Sequence, residues 1–495
     1  MKDRPSLFIN GKWKSGSGDL FKSQNPIKNE IIWEGNAASQ EDVNEAIISA
    51  RSAFKEWTNL SIDKRSSYLY QYGEVLKLNL VPLALIISRE NGKPLWEAKQ
   101  EVTSMIDKIR LSIESYGRRC PGIIQDHLNN RSITRHHPHG VVGIMGPYNF
   151  PGHLPNGHII PAILAGNTVV FKPSELTPSV AEEMIKYWEK AQLPKGVINL
   201  IQGGPKTGQS LLNHPDVNGI FFTGSYNTGK YIAELLGPQP EKIIALEMGG
   251  NNPLIVSKIS DTNIAAYFTI QSAFISSGQR CTCARRLILL QNNDGKKFIE
   301  SLVKAMSSIV IGHYDDVPEP YMGPLISEAH ALKVLAAQKN LVKLGGKSIV
   351  EMKQLLPHKS LLSPGLMDVT AIKNLPDEEI FGPFLQLIWV KDFEEALVVA
   401  NQTKFGLSAA LFSEDQNEYD QFYQNIRAGI VNWNTPTTGA LSSAPFGGVK
   451  SSGNHRPSAY YAADYCSYPI ASLESNYMKA PLILPPGIKV GENIK

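Results

Sequence analysis

"GVVGIMGP" (residues 140–147) poses the fold question for this chain, because it is an apolar run too short for a helix and without polar alternation. Five more runs of the same kind follow: "NTVVFKPS" (167–174), "GVINLIQGG" (196–204), "NGIFFTGS" (218–225), "IIALEMGG" (243–250) and "NPLIVS" (252–257). A strand that is apolar on both faces suits a parallel sheet covered by helices on both sides, whereas a half-exposed strand alternates. The stretches between them, "SVAEEMIKYWEKAQ" (179–192), "TGQSLLN" (207–213) and "TGKYIAELLG" (228–237), fit the helices of βαβ crossovers. The chain reads as α/β with at least one doubly wound sheet, and a second alternating region runs from about 262 to 430. Upstream, the first hundred residues read as helices. "SQEDVNEAIISARSAFKEWTNL" (39–60) spaces its apolar residues by three and four behind a Ser39 cap, with Asp42 three positions on. The end, "NYMKAPLILPPGIKVGENIK" (476–495), reads as an extended tail.

At 495 residues the chain has room for roughly two to four domains. Apolar residues make up 42% and charged residues 19%, an ordinary globular balance. The net charge of +3 is too small to imply a nucleic-acid partner. "MKDRPSLFINGKWKSG" (1–16) lacks the apolar core of a signal peptide, and no run is long enough to span a membrane, so the expected compartment is the cytoplasm. Four cysteines do not make a disulfide framework.

Two of those cysteines sit one residue apart in "SSGQRCTCARRL" (276–287). A zinc site would want further ligands at metal spacing, yet Cys120 and Cys466 stand alone and "RHHPHG" (135–140) has no cysteine near it. A redox couple normally uses two intervening residues rather than one. A nucleophilic thiol needs a cationic neighbourhood, an oxyanion donor and a base for water. Arg280 is the local cation, Glu247 ends an apolar strand where burial would raise its pKa, and Asn149 lies between two prolines in "GPYNFPG" (146–152). "FFTGSYNTGKY" (221–231) nearly spells a phosphate-binding loop, but Tyr231 stands where that loop needs a magnesium-holding Ser or Thr. What remains is a glycine-rich turn from strand to helix, suited to a pyrophosphate.

Taken together, the chain resembles the aldehyde dehydrogenase superfamily. "GPYNFP", "GNTVVFKPSE", "FTGS", "LEMGGNNP", "SSGQRC", "EEIFGPF" and "APFGGVKSSG" occur in the family's order, with Glu247 and Cys281 34 positions apart, and the match runs from about residue 5 to about 475. The resemblance implies a Rossmann-type NAD-binding domain (1–118 and 139–248), a second α/β catalytic domain (249–450) and a small β oligomerisation element (119–138 and 455–475), in a homodimer or homotetramer. It makes Cys281 the catalytic thiol, with Cys283 a bystander, Asn149 the oxyanion donor and Glu247 the base that hydrolyses a thioester. Lys172 and Glu175 match contacts to the adenosine ribose; a carboxylate there favours NAD over NADP. Gly224, Ser225, Tyr226, Asn227, Thr228 and Gly229 match the cofactor turn, and Glu379 and Phe381 the nicotinamide end. His158 stands where many relatives carry a lysine proposed to relay protons; a histidine there either shuttles protons or is satisfied by a backbone carbonyl. No metal is implied. "FPGHLPNGHIIPAILAGNTVVFKPSELTP" (150–178) and "GNHRPSAYYAADYCSYPIASLE" (453–474) are similar to the members that oxidise a succinylated glutamate semialdehyde in arginine breakdown. Such a dianionic substrate needs cationic partners, and Arg280 and Arg456 are the candidates.

Overall fold

The computed structural model describes residues 4–128, 130–478 and 483–488. It opens with strands where the sequence reading expects helices: β1 (Leu7–Ile9) and β2 (Lys12–Lys14) form one hairpin, β3 (Leu20–Gln24) and β4 (Ile31–Asn36) another. These strands are three to six residues long, too short for a periodic signal, but their turn chemistry is explicit. Asn10 and Gly11 both take positive φ (50° and 71°), the geometry of the tight Asn-Gly hairpin turn.

Four helices follow: α1 (Gln40–Thr58), α2 (Ile62–Leu78), α3 (Leu80–Asn91) and α4 (Leu95–Arg119). As expected, Ser39 and Asp42 form a reciprocal capping box at the start of α1. Next come β5 (Ile123–Asp126), β6 (Arg131–Pro138), β7 (Val141–Met145), α5 (His153–Ala165), β8 (Thr168–Lys172), α6 (Pro178–Lys190), β9 (Ile198–Leu200), α7 (Pro205–Asn213), β10 (Gly219–Gly224), α8 (Tyr226–Leu236) and β11 (Ile243–Met248). The first sheet has the order β11-β10-β7-β8-β9-β1-β2, parallel except at β1 and β2. Its central strands are buried on both faces, as the apolar runs require. On one side the Tyr72 and Trp188 rings stack at 3.7 Å, tying α2 to α6. The N-terminus of α6 lacks a side-chain cap of its own, and Glu90 of α3 accepts from Ser179 N (3.0 Å) and Val180 N (2.9 Å) instead.

The second sheet is built from β12 (Asn252–Val256), β13 (Ala284–Leu290), β14 (Lys347–Val350), β15 (Gly365–Asp368), β16 (Phe384–Val390), β17 (Ser408–Phe412) and β18 (Ile430–Trp433), in the order β14-β15-β16-β13-β12-β17-β18. Only the β14–β15 pair is antiparallel. Two short strands, β19 (Pro445–Phe446) and β20 (Ser458–Ala459), pair with each other, and β21 (Ser467–Glu474) joins β6 and β5 in a three-stranded antiparallel sheet. Residues ahead of β21 lie elsewhere: Lys108 Nζ of α4 donates to Ala459 O (2.6 Å), and Ser458 reaches Glu247. Of the tail at 476–495, residues 479–482 and 489–495 lie outside the described residues, and the described part holds no helix or strand. Among the described residues no helix is long and apolar enough to cross a membrane.

Candidate active site

In the first sheet the chain leaves β7 in both directions, to β8 and β9 on one side and to β10 and β11 on the other. A doubly wound sheet binds ligands outside the carboxyl ends of its strands at such a switch point. The candidates collect there. Lys172 ends β8 with Glu175 three residues on; Gly224 ends β10, Ser225 caps α8, and Glu247 is the penultimate residue of β11. Ser225 Oγ accepts from Thr228 N (3.3 Å) and lies 2.9 Å from Thr228 Oγ1, on an exposed helix N-terminus that also carries Asn227. Tyr226 packs edge-on against Phe405, and Gly229 faces Met248 so closely that a Cβ would lie 2.4 Å from its sulfur.

This edge fits a dinucleotide. Lys172 is buried, yet among the described residues its ammonium has one hydrogen bond, to Pro173 O (2.8 Å), and stands 3.9 Å from the exposed Glu175 carboxylate, leaving donors to spare. The first N–H groups of α8, ahead of Thr228, fit an anion. At the far end Glu379 lies flat on the Gly249–Gly250 turn: Gly250 N donates to it (3.3 Å), and a Cβ on Gly249 would sit 1.8 Å from its oxygen. Burial pushes the Glu379 carboxyl up to about 7, opposed by Arg285 and the Gly250 N–H. The Phe381 ring is half-buried and meets Tyr148 edge-on at 6.2 Å.

Cys281 follows a strained turn. Ser276 (φ 53°), Ser277 (φ 55°) and Gly278 (φ 71°) are all left-handed, and two non-glycine residues in that region are costly unless their surroundings enforce it. Here the surroundings are explicit. Ser276 Oγ donates to Glu97, Ser277 Oγ to Gly323 O (2.6 Å), and a Cβ on Gly278 would strike Gly382 O at 2.0 Å. Asn252 Nδ2 holds the carbonyls of both Cys281 (2.7 Å) and Cys283 (2.9 Å). Of the four cysteines Cys281 alone is not buried, while Cys283 is wholly buried, as a bystander would be. Asn149 is brought to the same loop: its Nδ2 donates to Gln279 O (2.8 Å), its second N–H has no partner among the described residues, and its backbone carbonyl accepts from Lys93 Nζ (2.9 Å).

Two sequence readings of Arg280 need correction. Its guanidinium is bound to Glu97 (2.6 Å) and Ser276 Oγ (2.8 Å) and lies over the Phe150 ring, so the charge offered to a substrate carboxylate is already neutralised. Nor is it the cation that the sulfur feels most. Burial pushes the Cys281 thiol well up, Glu379 and Glu247 push it further, and Arg285 pulls it down. Arg456, by contrast, is exposed and has no hydrogen-bond or ion-pair partner among the described residues. It lies two positions from Ser458, whose N–H donates to Glu247 Oε1 (3.2 Å).

Glu247 is buried, its Oε2 has no partner among the described residues, and burial raises its pKa well above the usual carboxylate range. Behind it, His158 bridges Tyr465 OH (Nδ1, 2.8 Å) and Thr223 Oγ1 (Nε2, 3.0 Å), and Thr223 is the register partner of Glu247 across β10 and β11. Burial pushes this imidazole down to about 3, so it is neutral, and its partners are hydroxyls rather than the backbone carbonyl weighed above. Sequence reasoning missed Arg285, Ser458 and Tyr465. "CARRL" does show two more arginines near the thiol, but nothing in it says which of them turns toward the sulfur.

A thiol, an amide and a half-satisfied buried carboxylate thus stand beside a sheet edge that fits a dinucleotide. A model of the aldehyde dehydrogenase family matches residues 13–469, and the chain belongs to that family. It is 51% identical to the N-succinylglutamate 5-semialdehyde dehydrogenase of Serratia proteamaculans (strain 568), over 98% of this chain and 99% of that protein. It is 49% identical to the enzyme of the same name from Hahella chejuensis (strain KCTC 2396), over 99% of this chain and all of that protein. Among solved structures, the glyceraldehyde-3-phosphate dehydrogenase GapN from Methanocaldococcus jannaschii DSM 2661, complexed with NADP, superposes with a TM-score of 0.86 at 32% identity, over 92% of this chain and 99% of that one.

Proposed function

We propose that this protein oxidises N-succinylglutamate 5-semialdehyde to N-succinylglutamate, with NAD as the hydride acceptor. The chemistry rests on one observation: Asn149 Nδ2 is bound to the Gln279 carbonyl two residues before Cys281, and the half-satisfied Glu247 carboxylate is near enough to push the Cys281 thiol up. The substrate rests on the full-length similarity to two enzymes of that name.

The Cys281 sulfur adds to the aldehyde carbon. The free N–H of Asn149 Nδ2 and the Cys281 backbone N–H hold the resulting oxyanion. Bound NAD supplies the hydride acceptor, held by Lys172 and Glu175 at the adenosine end, the 224–229 turn at the pyrophosphate, and Glu379 with Phe381 at the nicotinamide end. Glu247 Oε2 takes a proton from the water that hydrolyses the Cys281 thioester, while Ser458 N–H keeps Oε1 in place. His158, neutral and bound on both nitrogens, orients Tyr465 and Thr223 behind this base. The same reading takes residues 1–118 and 139–248 as the NAD-binding domain and 249–450 as the catalytic domain, with β5, β6 and β21 as the oligomerising sheet of a cytoplasmic homodimer or homotetramer.

The test is NADH production across a panel of semialdehydes of matched length. The succinylated glutamate semialdehyde should give the highest kcat/KM, and a better uncharged or monoanionic aldehyde would overturn the assignment. Two substitutions probe its parts. Arg456→Met should raise KM for the dianionic aldehyde by about 10- to 100-fold, the worth of one charge-assisted hydrogen bond, and leave an uncharged aldehyde unaffected; equal effects on both would remove Arg456 from substrate binding. Glu175→Ala should shift the NAD to NADP preference toward NADP by about tenfold or more, since the carboxylate repels a 2′-phosphate. An unchanged ratio in cofactor titrations would contradict that role.

A further inference from the structure

Arg285 is the residue that the β12–β13 pairing leaves over. Asn252 pairs with Ala284 and Pro253 with Arg286, so Arg285 is the extra residue of a bulge in a parallel pair, a device that re-aims side chains beside active sites. The bulge lets two successive arginines be buried with different destinations. Arg286 donates to the carbonyls of Asn251, Val399 and Ala400, all at 2.9 Å. Arg285, with no exposed side-chain surface, turns toward the thiol loop. Its Nη2 donates to Arg280 O (2.9 Å), its Nη1 to Gly382 O (3.3 Å), and its guanidinium stands 3.8 Å from Glu379 and 5.3 Å from the centre of the Phe381 ring. One of those carbonyls precedes Cys281 directly. Arg280 and Lys93 nearby are already paired with Glu97 and Glu101, so Glu379 has Arg285 as its one ion-pair partner among the described residues.

We propose that Arg285 is a positioning residue: it holds Glu379 and Phe381 against the thiol loop and cancels, at the Cys281 sulfur, the negative charge that Glu379 brings there. The inference rests on the reading of Cys281 as nucleophile and Glu379 as a cofactor contact. The groups facing the sulfur are Glu379, Glu247 and Cys283, which oppose the thiolate, and Arg285, which favours it; Tyr148 faces both members of the pair. The loss of an arginine that only braced the loop would not be offset by removing the Glu379 charge.

The experiment is the pH dependence of Cys281 alkylation by iodoacetamide, read by mass spectrometry of the Cys281 peptide, with neither aldehyde nor dinucleotide present. Arg285→Met should move the midpoint up and slow alkylation at pH 8 by about threefold or more, and Arg285→Lys should recover most of the loss. Glu379→Gln should move the midpoint down, and Arg285→Met with Glu379→Gln should return it close to the parent value. An unmoved midpoint in folded Arg285→Met would overturn the proposal, as would an upward shift in Glu379→Gln. Should Arg285→Met fail to fold, Glu379→Gln and Arg285→Lys decide alone: a downward shift in the first and little change in the second uphold the proposal, and any other pair of results sinks it. Because no substrate is used, a failed assignment of the semialdehyde would leave the result intact and be seen separately.

Discussion

Cys281→Ala is expected to give a folded protein that produces NADH from the semialdehyde at least about 10⁴-fold more slowly than the parent. No other thiol can take over. Cys120, Cys283 and Cys466 are buried, and Cys283, although only two positions away, points its sulfur at the Ile275 carbonyl (3.8 Å) inside the core. The alanine removes one sulfur from a half-buried position and leaves the backbone contacts of Asn252 untouched, so stability should change by less than about 1 kcal/mol. Dinucleotide affinity, followed by NADH fluorescence, should stay within a few fold, because the contacts at β8 and α8 lie at the carboxyl edge of a different sheet. Near-native turnover in this variant would end the covalent mechanism.

The second large effect separates the two half-reactions. Glu247→Gln should keep the first and lose the second: in stopped flow, NADH should appear in a burst close to one equivalent per chain, followed by a steady rate lower by about 10²- to 10⁴-fold. Glutamine preserves the hydrogen bond from Ser458 N–H but offers no basic oxygen to water. The pH dependence has a definite sign. Burial raises the Glu247 pKa, so the carboxyl is protonated and idle at low pH, and parent hydrolysis should rise with pH through that raised value. The glutamine variant should lack that limb. A slow steady rate without a burst would instead place Glu247 in the attack step.

The parallel strands were legible because burial on both faces leaves an unbroken apolar run, visible in "TVVFK" as in "GIFFTG". The first hairpin was not, since its strands of three residues have no period, although Asn10–Gly11 carried the turn in plain view. Within the site, the candidates that the sequence pointed to were those whose neighbours form local phrases: Cys281 after its strained turn, Glu247 at a strand end, Asn149 between prolines. Those missed depend on pairing across the chain. Glu97 lies 183 positions from the Arg280 it neutralises, and Ser458 lies 211 from Glu247. The choice between Arg280 and Arg285 turns on a bulge, which a register mismatch with β12 creates and no local pattern announces.

The most direct measurement of the covalent account is the intact mass of Glu247→Gln after mixing with NAD and N-succinylglutamate 5-semialdehyde. The mass should rise by one N-succinylglutamyl acyl group per chain, and peptide mapping should place it on Cys281. NADH formation with no acyl group on the protein, or with the group on another residue, would contradict it.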